Sequence, residues 1–102
     1  MPSSSQQKKQ FRAIGHKLKP IVTVADKGLT ENVRLELDRA LTDHELIKVK
    51  LAAGDRVARE AIRDELISLL KAECIQQIGH ILLIYRASRK PDPRLSNLIR
   101  KV

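Results

Sequence analysis

Apolar side chains recur along the chain in two rhythms, one helical and one alternating, and the switches between them mark the elements. Phe11, Ile14 and Leu18 fall at helical spacing, and Ser4 with Gln7 three residues on has the form of a capping box. A first helix is expected there, limited by Gly15 and then Pro20. Ile21 to Val24 is a short β-branched run that reads as a buried strand, and Ala25-Asp26-Lys27-Gly28 follows it as a turn. Thr30 is the N-cap candidate of a second helix, with Val33, Leu37, Ala40 and Leu41 on one stripe and an end near Asp43. From Ile47 the alternation is strict: Ile47, Val49 and Leu51 on one face of a strand, Lys48 and Lys50 on the other. Gly54-Asp55 opens a third helix, Asp55 as N-cap, with Ile62, Leu66, Leu69 and Leu70 facing inward. Ile75 to Ile78 and Ile81 to Tyr85 flank Gly79-His80, the spacing of a hairpin with a two-residue type II′ turn.

The order is α-β-α-β-α-β-β, which belongs to the α/β (α+β) class: a four-stranded mixed sheet with helices packed on it. Beyond Tyr85 the composition turns to Arg, Lys, Ser and Pro. Pro91, Pro93 and the surplus of charge favour a basic arm outside the core over residues 88–102. The alternative is a last short helix opened by Asp92-Pro93, pinned by Leu95, Leu98, Ile99 and Val102.

Composition narrows the classes. At 102 residues and 42% apolar the chain suits one domain with an adequate core. A single cysteine, Cys74, excludes an internal disulfide framework and fits a reducing compartment, so a cytoplasmic location is expected. The longest apolar run is Ile81 to Tyr85, too short to span a membrane, and no charged stretch leads into an apolar segment as in a signal peptide. The net charge of +8 is uneven: residues 1–28 carry +5, residues 29–85 carry −2 and residues 86–102 carry +5. Two basic flanks around a near-neutral body suggest a polyanion-binding surface.

Catalysis finds no support. His16, His44 and His80 are too scattered to share a helical face, and with one cysteine they form no zinc pattern. Cys74 has no Cys-x-x-Cys partner and reads as a small hydrophobe. Glu31 with Arg34, Glu36 with Arg39 and Arg56 with Glu60 have the spacing of exposed helical ion pairs. No phosphate-cradling glycine motif is present. The expectation is a non-enzyme with no metal, cofactor or small-molecule substrate.

Nucleic acid is the better partner. Lys48 and Lys50 sit about 7 Å apart along one strand face, near a phosphate repeat. The turn at Ala25 to Gly28 precedes a helix N-terminus, where a phosphate can meet free N–H groups, and Lys27 adds a charge. With Phe11 and Tyr85 the only aromatic residues, stacking platforms are missing, which favours readout of RNA backbone and shape. A basic protein-interaction module docking an acidic or ribosomal protein is the alternative.

Three stretches carry a family resemblance: His16-Lys17-Leu18-Lys19-Pro20-Ile21-Val22, Lys27-Gly28-Leu29-Thr30-Glu31 and His44-Glu45-Leu46-Ile47-Lys48-Val49-Lys50. With Gln76-Gln77-Ile78-Gly79 and Leu83-Ile84-Tyr85-Arg86, they resemble the CRM domain, and more closely its bacterial stand-alone YhbY-like members. The resemblance spans about residues 5–87, so 1–87 is expected to be the RNA-binding domain and 88–102 a basic tail. It implies a fold similar to the C-terminal domain of translation initiation factor 3, and binding to ribosomal RNA or precursor large-subunit particles during ribosome assembly. Members usually carry a Gly-x-x-Gly loop against RNA; here it reads Ala25-Asp26-Lys27-Gly28, with Asp26 an anion beside the phosphate site. The expected RNA contacts are Lys17, Lys19, Ala25, Asp26, Lys27, Gly28, Lys48, Lys50 and Arg86, supported by Lys8, Lys9 and Arg12 of the first helix. A monomer is expected.

Overall fold

The computed structural model describes residues 3–25, 27–52 and 54–98. The elements run α1 (Ser5–Gly15), β1 (Pro20–Val24), α2 (Glu31–His44), β2 (Leu46–Leu51), α3 (Arg56–Leu70), β3 (Glu73–Ile78) and β4 (Ile81–Tyr85). The caps are the ones the sequence predicts. Ser4 Oγ accepts from Gln7 N at 3.1 Å while Gln7 Oε1 accepts from Ser4 N at 2.9 Å. Thr30 Oγ1 accepts from Val33 N, and Asp55 Oδ1 from Ala58 N. Each satisfies a helix N–H that has no partner within its own helix.

The strands form one sheet in the order β1-β2-β4-β3, with β1 parallel to β2 and the other pairs antiparallel. A parallel pair needs a crossover, and α2 supplies it. The turn joining β3 to β4 has a positive φ at Gly79 and not at His80, as type II′ requires.

The sheet is covered unequally. On one face α2 and α3 lay Leu37, Leu41, Leu66 and Leu70 over Val22, Val24, Ile47, Val49, Leu51, Leu82 and Ile84. On the other face α1 alone packs Phe11 against Leu46, Ile75 and Leu83, with Ile14, Leu18, Tyr85 and Leu98 at the margin. Gly15 brings α1 down onto β4: a Cβ there would lie 2.6 Å from Leu83 Cδ2, so any larger residue would force the buried Leu83 side chain to shift. Cys74 lies under the two helices and Ile75 under α1, as strand alternation requires; a bulge between Cys74 and Gln76 then breaks that alternation and puts Gln76, opposite Leu83, on the same face as Ile75.

Two sequence expectations are corrected. Leu69 is 54% exposed; α3 buries Leu66 and Leu70 and is rolled so that Ile67, with Ile62, completes the inner stripe. Residues 88–98 are no free arm. Asp92 starts a single turn, its backbone oxygen accepting from Leu95 and Ser96 and its carboxylate from Arg94 N. Ser96 and Asn97 are buried against the start of β2, and Leu98 joins the α1 cluster. Ile99 and Val102, the rest of the proposed apolar stripe, lie outside the described residues.

Candidate nucleic-acid interface

α1 covers only part of its face, and the strand registers say which part. Beneath it lies the row Leu46–Tyr85–Glu73, where the Glu73 carboxylate accepts from Ser3 N. Two further rows follow: Pro20–Lys48–Leu83–Gln76, which the end of α1 covers at Leu83, then Thr23–Lys50–Ile81–Ile78, each reading across β1, β2, β4 and β3. Among the described residues these two rows hold two lysines and no carboxylate. Lys48 is half-buried and Lys50 exposed, and neither forms an ion pair within 4 Å among the described residues.

The loops at both ends of β1 extend this basic line. Lys17 and Lys19, both exposed, lie in the α1–β1 connection, next to Pro20 and so to the Lys48 row. Past the Lys50 row, β1 leads into the loop with exposed Ala25 and Lys27. Gly28 N donates to Ala25 O, Gly28 has φ +70°, and a Cβ there would meet nothing within 4 Å. The loop therefore needs glycine for its backbone angle, and its outer side is open. Asp26 lies outside the described residues. The structure thus lines up Lys17, Lys19, Lys48, Lys50 and the Lys27-Gly28 turn along β1 and β2.

The other expected residues are placed differently. Lys9 and Arg12 are exposed on α1, and Lys8 is near enough to Cys74 to favour its thiolate. Arg86 is on the opposite side of the sheet: its guanidinium donates to the Asp38 carboxylate (2.8 Å), Asp38 O (2.8 Å), Thr42 Oγ1 (3.0 Å) and Leu70 O (3.1 Å). It ties the end of α3 to α2. Arg86→Ala is expected to cost about 2 kcal/mol of stability, and Arg86→Lys to recover little, because a point charge cannot reproduce the fork. Thermal melts of the two variants check this.

The remaining titratable groups have structural partners or none. The His44 ring is 2.7 Å from Leu95 O and the His80 ring 3.0 Å from Leu51 O. Burial pushes the Cys74 thiol above its usual value, partly opposed by Arg63 nearby. Among the described residues no three His, Cys, Asp or Glu side chains could hold a metal ion, and no helix is long and apolar enough to cross a membrane. Phe11 and Tyr85 pack on each other with centroids 4.6 Å apart, so both rings belong to the α1 contact. Sequence reasoning missed the side chains beside Lys48. His16, Gln76, Ile78, Ile81 and Leu83 line a groove with it, and they meet only once the β3–β4 register is known.

A basic, partly uncovered face on a four-stranded α+β sheet, with a glycine turn at the head of a helix, has the charge and geometry to hold a polyanion. The chain belongs to the CRS1/YhbY (CRM) domain family, whose sequence profile matches residues 4–86. It is 52% identical over 100 residues to a "Probable RNA-binding protein" of Pseudomonas aeruginosa, covering 98% of this chain and 96% of that one. It is 42% identical over 92 residues to an "RNA-binding protein" of Haemophilus influenzae, covering 90% and 93% of the two chains. The solution structure of a candidate RNA-binding protein of Staphylococcus aureus superposes with a TM-score of 0.76 at 28% identity, over 87% of this chain and 93% of that one.

Proposed function

We propose that the chain is a cytoplasmic, non-catalytic RNA-binding protein. In this reading it works as a monomer on ribosomal RNA of precursor large-subunit particles and assists their assembly. The observation that carries RNA binding is the partly open pair of sheet rows, where Lys48 and Lys50 have no carboxylate beside them and basic loops continue the line at both ends. The names of the relatives support the same ligand class. The ribosomal target rests on the family resemblance. Contacts are assigned to Lys17, Lys19, Lys27, Gly28, Lys48 and Lys50, with Lys9 and Arg12 adding long-range attraction. Arg86 has a structural part instead, its guanidinium being engaged on the far side of the sheet. Crosslinking the protein to RNA in cells and sequencing the attached RNA tests the target. Reads concentrated in large-subunit ribosomal RNA are expected; reads spread over transcripts in proportion to abundance contradict the assignment.

The Gly28 turn has its own test. Gly28→Asn and Gly28→Asp impose a similar backbone strain, since both residues tolerate a positive φ better than most, and neither Cβ meets a neighbour. Only Asp adds an anion at the head of α2. Gly28→Asn is expected to bind RNA nearly as the parent does, and Gly28→Asp to lose about 1 kcal/mol of binding. Equal affinities in a filter-binding or fluorescence titration would make the turn a mere connection.

A further inference from the structure

We infer that the groove between the end of α1 and the β3–β4 hairpin takes one unpaired nucleobase of the bound RNA, a reading that rests on the RNA-binding function proposed above. The groove is about 190 Å³ and is lined by His16, Lys48, Gln76, Ile78, Ile81 and Leu83. It is smaller than the roughly 300–1,000 Å³ of sites for drug-sized ligands, so it suits a single planar ring rather than a whole nucleotide.

Its lining divides by chemistry. Leu83 and Ile81 form an apolar floor, and Ile78, 65% exposed, stands at the open edge as a large hydrophobe in water. Gln76 projects from the same side of β3, and no hydrogen bond between described residues engages its amide. Its neighbour Gln77, turned to the other face, accepts from Arg63 at 2.7 Å. A free amide with a donor and an acceptor on one edge is the complement of a base edge. Lys48 and the exposed His16 complete the wall, neither side chain having an ion pair or hydrogen bond among the described residues.

Charge identifies the occupant. The groove opens beside Lys48 and Lys50, next to the loop bearing Lys17 and Lys19, so a phosphodiester chain following β2 passes along its rim. A base swung inward from that chain reaches the apolar floor while its phosphate stays with the lysines. Apolar packing below and an amide at the edge can thus add a base-dependent contribution to a surface without a free aromatic platform.

The test compares two probes of equal charge, hexa-adenylate and an abasic ribose-phosphate hexamer of the same length. The parent protein is expected to bind hexa-adenylate about tenfold more tightly than the abasic chain. The Gln76→Ala, Ile78→Ala double variant should bind both probes as the parent binds the abasic one, with the salt dependence for the abasic chain unchanged. Both substitutions are at side chains that are half-buried or exposed, and a thermal melt confirms the fold. No preference for hexa-adenylate in the parent, or a preference that survives in the variant, overturns the groove as a base site. A groove that instead receives an apolar side chain of a protein partner would give that first result. If neither probe binds the parent even at low salt, RNA binding itself fails, a separate outcome.

Discussion

A chain ending at Ala87 should melt on the order of 15 °C below the full-length protein. The segment it lacks is tied to the body at several points. Ser88 N and Ser96 Oγ donate to the two carboxylate oxygens of Glu45, at 3.1 and 2.8 Å. Asn97 Nδ2 donates to Leu46 O at 2.7 Å, and Asn97 N donates to His44 O. Leu98 packs with Phe11, Leu46, Ile75 and Leu83. Hydrogen bonds to a charged acceptor contribute about 1.5–3 kcal/mol each, and a partly buried leucine adds about 1 kcal/mol. Ordering the segment offsets much of this, leaving a net loss of about 2–4 kcal/mol. At 4–8 °C per kcal/mol for a domain of this size, calorimetry resolves it easily. A melting point unchanged within 3 °C or so would restore the free basic arm.

Glu45→Ala is expected to cost a comparable amount, about 2–3 kcal/mol, by a different route. Glu45 is a buried carboxylate, 6% exposed, in the connection between α2 and β2, where its φ is +64°. The strained backbone is held because Glu45 N donates to Leu41 O and Glu45 O accepts from Arg86 N. Removing the carboxylate leaves the fully buried Ser96 hydroxyl and the Ser88 N–H without their acceptor. Glu45→Gln should recover only part of the loss, since its amide nitrogen would face one donor or the other. In the chain ending at Ala87 the same Glu45→Ala change should cost under about 1 kcal/mol, because its partners are gone. Full additivity of truncation and substitution in denaturant melts would show that Glu45 does not anchor the segment.

Most of the fold was legible in the sequence because local rules decide it. The caps at Ser4, Thr30 and Asp55 and the Gly79-His80 turn are short-range chemistry, and each lies where its residues predict. The second strand shows how far the pattern reaches. Leu46 and Ile47 are both buried because helices cover both faces there, and the alternation becomes strict only beyond Ile47, where α1 still covers Leu83 on β4 but leaves Lys48 half-buried and Lys50 exposed on β2. The start of the regular lysine pattern therefore marked the edge of the open face. What stayed hidden depends on long-range partners. Arg86 reads as one more cation until α2 and α3 are docked beside it, and Glu45 reads as a surface acid until Ser96 arrives from 51 residues away. Gln76 and Ile78 join Lys48 only through the β4 register.

The claim that the open sheet face is the RNA surface is tested most directly by the salt dependence of RNA binding in the Lys48→Ala, Lys50→Ala variant. Five lysine–phosphate contacts (Lys17, Lys19, Lys27, Lys48 and Lys50) correspond to a slope of log K against log salt of about −3.5 for single-stranded RNA, at about −0.7 per contact. Neither strand lysine is ion-paired among the described residues, so the variant should fold as the parent does. Its slope is predicted to flatten by more than one unit, to about −2, with weaker binding at low salt. A folded variant with the parent's slope and affinity would contradict the account and move the RNA to another part of the surface.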